Sequence, residues 1–187
     1  MIKQFFLKFL IGSNYFNLKK NFKNIRLVVT DVDGVLTDGG IFLDESGQTL
    51  RKFNVKDGLG IKLLQEVGIK VVFLSGGTGE SIIQRAKQLN VDYCFTEIKD
   101  KLEVLKKLQG DLKIKKENTI YIGDDLNDIP IKGYVSLLIS PKDAVMPFKL
   151  SADFLLKSKG GEGAFRELAD EILKSKNKFN FFYKGFN

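Results

Sequence analysis

Histidine is absent from the 187-residue chain, and cysteine occurs once, at Cys94. Without an imidazole, Ser-His-Asp and Cys-His catalysis are excluded, and a single thiol excludes an intrachain disulfide. The same shortage removes any zinc site built from thiolates or imidazoles. Acid-base chemistry therefore falls to carboxylates, lysine or tyrosine. Cys94 lies in the apolar run Val91 to Phe95 and reads as a small core residue rather than a nucleophile.

Acidic residues are missing from both ends. Residues 1–26 carry six Lys or Arg and no acid, and residues 174–187 carry four Lys and no acid. The 147 residues between hold 20 basic and 23 acidic side chains, so the net charge of +7 belongs to the tails. A nucleic-acid footprint would run along a folded surface, and no nucleic-acid partner is expected. Long apolar runs are also lacking. Met1 to Gly12 places Ile2, Phe5, Phe6, Phe9 and Leu10 on one helical face, but it is too short to span a bilayer. Lys8 interrupts the apolar stretch that a signal peptide needs. Its basic flank permits contact with a membrane surface, although packing on the domain or on a neighbouring subunit is the preferred reading.

What is present is a series of short apolar runs, each ending in a polar cluster, in a chain of one-domain length. Leu27 to Thr30 read as a buried strand that ends in Asp31-Val32-Asp33-Gly34. Ile41 to Leu43 and Thr49 to Phe53 flank Asp44-Glu45-Ser46-Gly47, a hairpin signature. A helix is predicted from about Asn54 to Val67, followed by a strand at Lys70 to Leu74 that ends in Ser75-Gly76-Gly77. Ser81 to Leu89 is a helix, Val91 to Thr96 a strand and Lys99 to Leu108 a helix. A fourth strand, Thr119 to Ile122, ends in Gly123-Asp124-Asp125-Leu126-Asn127-Asp128. Val135 to Ile139 and Ala152 to Leu156 are further strands, and Ala164 to Leu173 is the last helix. This alternation predicts an α/β fold with a doubly wound, mostly parallel, Rossmann-like sheet.

In such a sheet the polar clusters gather at the carboxyl ends of the strands, where ligands bind. Three carboxylates brought within ~4 Å repel by roughly 1 to 4 kcal/mol per pair, so Asp31, Asp33 and the Asp124 cluster call for a cation. A hard, oxygen-liganded ion such as Mg²⁺ suits them. Ser75 with the amides of Gly76 and Gly77 can cradle a phosphate, and Lys101 can supply a compact positive charge.

The motifs Asp31-Val32-Asp33-Gly34, Ser75-Gly76, Lys101 and Gly123-Asp124-Asp125 with Asp128 resemble, in order, the four motifs of the haloacid dehalogenase superfamily of phosphohydrolases. The resemblance implies that Asp31 is the nucleophile, forming an aspartyl phosphate, and that Asp33 is the acid and base. It implies Mg²⁺ held by Asp31, the main-chain carbonyl of Asp33 and Asp124, with Asp125 and Asp128 tuning it from close by. The gaps from Asp33 to Ser75 and from Ser75 to Lys101 leave no room for a cap domain. Only the small hairpin flap remains, so a neighbouring subunit is expected to close the site.

Within the superfamily, residues 25–173 are similar to the 3-deoxy-D-manno-octulosonate 8-phosphate phosphatase family. The marks are Asp31 to Gly39, Phe53 to Lys62, Arg85 to Leu89 and Gly160 to Glu167. That likeness implies a cytoplasmic homotetramer in lipopolysaccharide biosynthesis, with substrate contacts from Asp33, Asn54, Lys56, Asp57, Gly58, Lys62, Gly76, Arg85 and Lys101. It divides the chain into an N-terminal extension at 1–24, a phosphatase domain at 25–174 and a basic aromatic tail at 175–187. One departure is Gly77, where the family usually carries arginine. This keeps a nine-carbon nonulosonate 9-phosphate open as an alternative substrate. A non-catalytic subunit associated with a sugar-nucleotide synthetase is the rival from another class.

Overall fold

The structure, a computed structural model, describes residues 22–179. The amphipathic stretch at 1–12 and the tail beyond 179 lie outside the described residues. Strands β1 (Leu27–Thr30), β4 (Lys70–Leu74), β5 (Tyr93–Phe95), β6 (Thr119–Ile122), β7 (Leu137–Ser140) and β8 (Phe154–Leu155) form one parallel sheet in the order β5-β4-β1-β6-β7-β8. The hairpin is a separate antiparallel pair, β2 (Phe42–Leu43) and β3 (Thr49–Leu50). Its turn is held by Asp44, whose Oδ1 accepts from the amides of Ser46 and Gln48. Helices α1 (Val55–Glu66), α2 (Glu80–Leu89), α3 (Lys101–Leu112), α4 (Met146–Ser151) and α5 (Ala164–Ser175) complete the body.

The central strands are unbroken apolar runs because both their faces are covered. Val28, Val71, Phe73, Ile120 and Ile122 point to one side and pack with Ile61, Ile82, Phe165 and Leu168 from α1, α2 and α5. Leu27, Val29, Val72, Leu74 and Tyr121 point to the other, against Leu105 and Phe148 from α3 and α4. Alternation with period two thus sends successive residues of β1 into two different cores. The core also takes in Phe22, whose ring meets Phe154 edge-on at 5.9 Å, and Phe179 packs against it. The packed residues therefore run from Phe22 to Phe179.

The predicted elements are all found, with two differences. Strands β3, β5 and β8 are shorter than expected, and α4 was predicted by no periodicity. Six residues are too few for a helical pattern to declare itself, and Pro147 in its first turn is what starts it. None of the described helices is long and apolar enough to cross a membrane.

Register decides where the chemistry lies. Thr30 is level with Phe73 on one side and with Ile122 on the other. Asp31, Ser75 and Gly123-Asp124 therefore leave the sheet at one edge, and the Asp31 amide still bonds to the Ile122 carbonyl at 2.9 Å.

Candidate active site

At that edge lies a cleft of about 730 Å³, lined by Asp31, Asp33, Ser75, Gly76, Gly77 and Asp124 among others. Both oxygens of Asp31 are fixed. Oδ1 accepts from the Val32 amide at 2.7 Å and Oδ2 from Lys101 Nζ at 2.8 Å. Lys101 is the first residue of α3, and Asp100 caps that helix by accepting from the Glu103 amide. An ammonium at a helix N-terminus opposes the dipole, and this one is only 2% exposed. It is held by Asp31 and by Asp128 Oδ1 at 2.7 Å. Burial works against its charge, but the two carboxylates outweigh burial and raise its pKa.

Asp128 is fully buried, and its oxygens are occupied. Oδ1 also accepts from Tyr121 Oη at 2.6 Å, and Oδ2 accepts from the Asp124 amide at 3.0 Å. It therefore aims Lys101 at Asp31 and fixes the loop that carries Asp124. Tyr121 Oη is confined by the same network, and burial followed by Asp128 pushes its pKa well up. Nothing in the apolar run of β6 pointed to Tyr121 as a partner of the site.

Asp31, Asp124 and Asp128 each offer an oxygen within 4.8 Å of the others, with one lysine among them. Burial and the crowding of these carboxylates show in two pKa values. Burial first, then Asp128, raises Asp31 from 3.8 to about 7. Burial, then Asp31 and Asp128, raises Asp124 from 3.8 to about 8. No described residue donates a hydrogen bond to the Asp124 carboxylate. Room for that carboxylate depends on Gly34, where φ is +82° and an added Cβ would lie 2.0 Å from Asp124 Oδ2. An all-oxygen donor set with surplus charge, one of its carboxylates bonded by no described residue, fits a hard divalent cation. Asp31 and Asp124 are the side chains that face the cleft for it, whereas Asp128 is fully buried behind them.

Ser75 is buried, and its Oγ accepts from the Gly77 amide at 3.0 Å, which shapes the Ser75-Gly76-Gly77 loop at the cleft wall. The expected substrate contacts divide. Asp33, Gly76 and Lys101 are at the cleft or bonded to Asp31. Asn54, Asp57, Gly58 and Arg85 line a different, tight pocket with Phe53. Their polar groups serve the fold. Asn54 caps α1 through the Lys56 amide and donates to the Gly161 carbonyl, while Arg85 donates to the Asn54 carbonyl and to Gln88. Asp57 accepts from the Arg166 amide at 2.8 Å at the start of α5, and burial raises its pKa to about 6. Lys56 and Lys62 are exposed on α1. The chain by itself thus brings the phosphate machinery together and leaves this second group outside the cleft.

One charged residue of the site was not expected. Arg51, just after β3, reaches Asp33 with Nε at 2.7 Å from Oδ1 and Nη2 at 3.1 Å from Oδ2.

The central part of the chain, residues 96–168, matches the model of the haloacid dehalogenase-like hydrolases. The chain is 38% identical over 121 residues to 3-deoxy-D-manno-octulosonate 8-phosphate phosphatase KdsC of Yersinia pestis, covering 65% of each chain. With the Haemophilus influenzae protein of the same name it shares 36% identity over 136 residues, covering 73% of this chain and 76% of that one. The chain belongs to the 3-deoxy-D-manno-octulosonate 8-phosphate phosphatase family, within the haloacid dehalogenase-like hydrolases. It spans just under two thirds of the Yersinia relative's length. A crystal structure of the Moraxella catarrhalis family member, in complex with magnesium, phosphate and a KDO molecule, superposes with a TM-score of 0.88 at 33% identity. That superposition covers 91% of this chain and 98% of the Moraxella chain.

Asp128→Asn is expected to lower turnover 10- to 100-fold, roughly the loss found when a partner behind a metal ligand is removed. The neutral amide leaves Lys101 with one counter-charge and slackens the Asp124 loop, so the Mg²⁺ concentration for half-maximal activity should rise. A Mg²⁺ titration of the initial rate checks this; an unchanged curve would remove Asp128 from the machinery.

Proposed function

We propose that the chain is a Mg²⁺-dependent phosphatase that converts 3-deoxy-D-manno-octulosonate 8-phosphate to the free sugar acid and inorganic phosphate. The reading rests on one observation above all: a buried lysine bonds both Asp31 and Asp128, and Asp31 shares its cleft with Asp33, Asp124 and Ser75. The named activity of the family members supports the substrate.

With both carboxylate oxygens held, Asp31 is presented in one orientation for attack on phosphorus. The bond from phosphorus to the sugar oxygen breaks, the Asp33 carboxyl gives that oxygen its proton, and Asp31 carries the phosphoryl group. Asp33, now a carboxylate, takes a proton from water as the water attacks phosphorus. Phosphate leaves and Asp31 is restored. Lys101, Ser75 and the amides of the Gly76-Gly77 loop hold phosphoryl oxygens through both steps. A Mg²⁺ held by Asp31, Asp124 and the Asp33 carbonyl supplies the charge that keeps the nucleophile ionised and polarises the phosphoryl group.

Ile41, Phe42, Leu43 and Leu50 of the hairpin each expose half or more of their surface. A flap this small and apolar supports a homotetramer in which a neighbouring subunit covers the cleft and brings further substrate contacts. The cytoplasm is the proposed location, with the product feeding surface polysaccharide. One second reading, a nine-carbon nonulosonate 9-phosphate, rests on Gly77 standing in the cleft wall where the family usually carries arginine, which changes what a substrate meets there.

Phosphate release from the two sugar acid phosphates separates these readings. A higher kcat/KM on the octulosonate is expected; a clear preference for the nine-carbon substrate would reverse the choice. Light scattering on the same preparation should give the mass of four chains, and a fully active monomer would refute the shared site.

A further inference from the structure

We propose that Arg51, carried by the hairpin, is the positioning residue of the acid-base Asp33, and that Gly77 is the vacancy that admits it. The inference rests on the role given to Asp33 above. The Arg51 side chain is 2% exposed, while that of Asp33 is 25% exposed and lines the cleft. Two parallel bonds, Nε to Oδ1 and Nη2 to Oδ2, fix both the plane and the direction of the carboxyl group. The other contact to that carboxyl, from Thr37 Oγ1, is 3.4 Å long and adds little.

The guanidinium is itself anchored. Nη1 donates to Thr49 Oγ1 and to Ser81 Oγ, each at 3.1 Å, so it is fixed from the hairpin and from the first turn of α2. Position 77 faces the pair directly. A Cβ there would lie 2.7 Å from Asp33 Oδ2 and 3.1 Å from Arg51 Nη2. Any side chain at 77 would press on the fork, and glycine leaves it whole. The hairpin is therefore part of the acid-base apparatus of its own chain, in addition to whatever it offers a neighbour.

The test must separate aiming Asp33 from merely tying the hairpin down. Proton donation matters for a poor leaving group and little for a stable anion. Breaking the phosphorus–oxygen bond of phenyl phosphate needs the proton from Asp33, whereas para-nitrophenolate leaves without it. In kcat/KM, which reports the steps through release of the leaving group, Arg51→Ala is expected to lose about 10²-fold on phenyl phosphate, the lower range of general-acid contributions, and less than tenfold on para-nitrophenyl phosphate. Arg51→Lys, which keeps the charge but not the fork, should fall between. Gly77→Ala should shift the two rates in the same direction. Added to Arg51→Ala it should cost little more, because the contact it disturbs is already gone.

Equal losses on both aryl phosphates, or none, would overturn the proposal, as would full additivity of the two substitutions. Should Arg51→Ala not fold by thermal melting, Gly77→Ala and Arg51→Lys carry the same comparison. Aryl phosphates also keep the two proposals distinct. A changed leaving-group response in an enzyme inactive on octulosonate 8-phosphate would uphold Arg51 and reject the substrate.

Discussion

Asp31→Asn is expected to abolish phosphate release, by on the order of 10⁴-fold or more, the scale seen when a covalent nucleophile is removed. The substitution changes one buried oxygen into an NH₂ group and little else in shape. The Val32 amide can still donate to the remaining oxygen, and Lys101 keeps Asp128 as its partner. Its ammonium does meet the new NH₂, so one hydrogen bond is lost. Against that loss stands relief of a carboxylate whose ionisation is disfavoured by burial and by Asp128. The fold should therefore survive, and the melting temperature should move by only a few degrees. A phosphatase assay on a well-folded variant reads chemistry alone. Retention of more than about a hundredth of the wild-type rate would reject Asp31 as nucleophile, since the residual catalysis left without one is far smaller. A non-catalytic subunit predicts no phosphate release from the wild-type chain to begin with.

The sheet and the phosphate machinery were legible because each depends on short-range pattern. Leu27 to Thr30, Lys70 to Leu74 and Thr119 to Ile122 are apolar runs of strand length, and a parallel sheet delivers whatever follows them to one edge. Asp31, Ser75 and Asp124 needed no further information to be placed. Lys101 was singled out by the resemblance, since a lysine near a helix start in a lysine-rich chain reads by itself as a surface residue. The Asn54-to-Lys62 stretch was less legible, because a polar side chain that caps a helix looks the same in sequence as one that binds a ligand. Asp57 illustrates it: its partner is the Arg166 amide, 109 residues away. Arg51 was hidden for a related reason. Its bond to Asp33 exists only when the hairpin folds back over the strand end, and Gly77 in the sequence reads as a missing arginine rather than as space for another. Tyr121 was concealed by its surroundings, an apolar strand in which a hydroxyl signals nothing until Asp128 is set beside it.

Removing the metal should both stop turnover and change how stability depends on pH. In the metal-free protein Asp31 and Asp124 hold protons up to about pH 7 and 8, whereas in the unfolded chain both release them near 3.8. Between those limits the folded state binds more protons than the unfolded state, so its stability falls as pH rises. The carboxylates interact, and the two steps belong to the pair. At about 1.4 kcal/mol per pKa unit the combined loss is several kcal/mol by pH 8. For a chain of this size that lowers the melting temperature by about 20 °C between pH 5 and pH 8 in EDTA. Bound Mg²⁺ takes the place of the protons, and at one hundred times its dissociation constant it contributes about 2.7 kcal/mol. Saturating Mg²⁺ should therefore remove most of the decline above pH 6. Below that the part of the decline due to Asp57 should persist with or without metal, because Asp57, raised to about 6 by burial, lies in the separate pocket under α5. Thermal melts at several pH values, with EDTA and with Mg²⁺, resolve the two contributions. A melting temperature in EDTA that is flat or rising from pH 5 to 8 would mean that the Asp31 and Asp124 carboxylates do not crowd one another. The electrostatic case for a cation would fall with it.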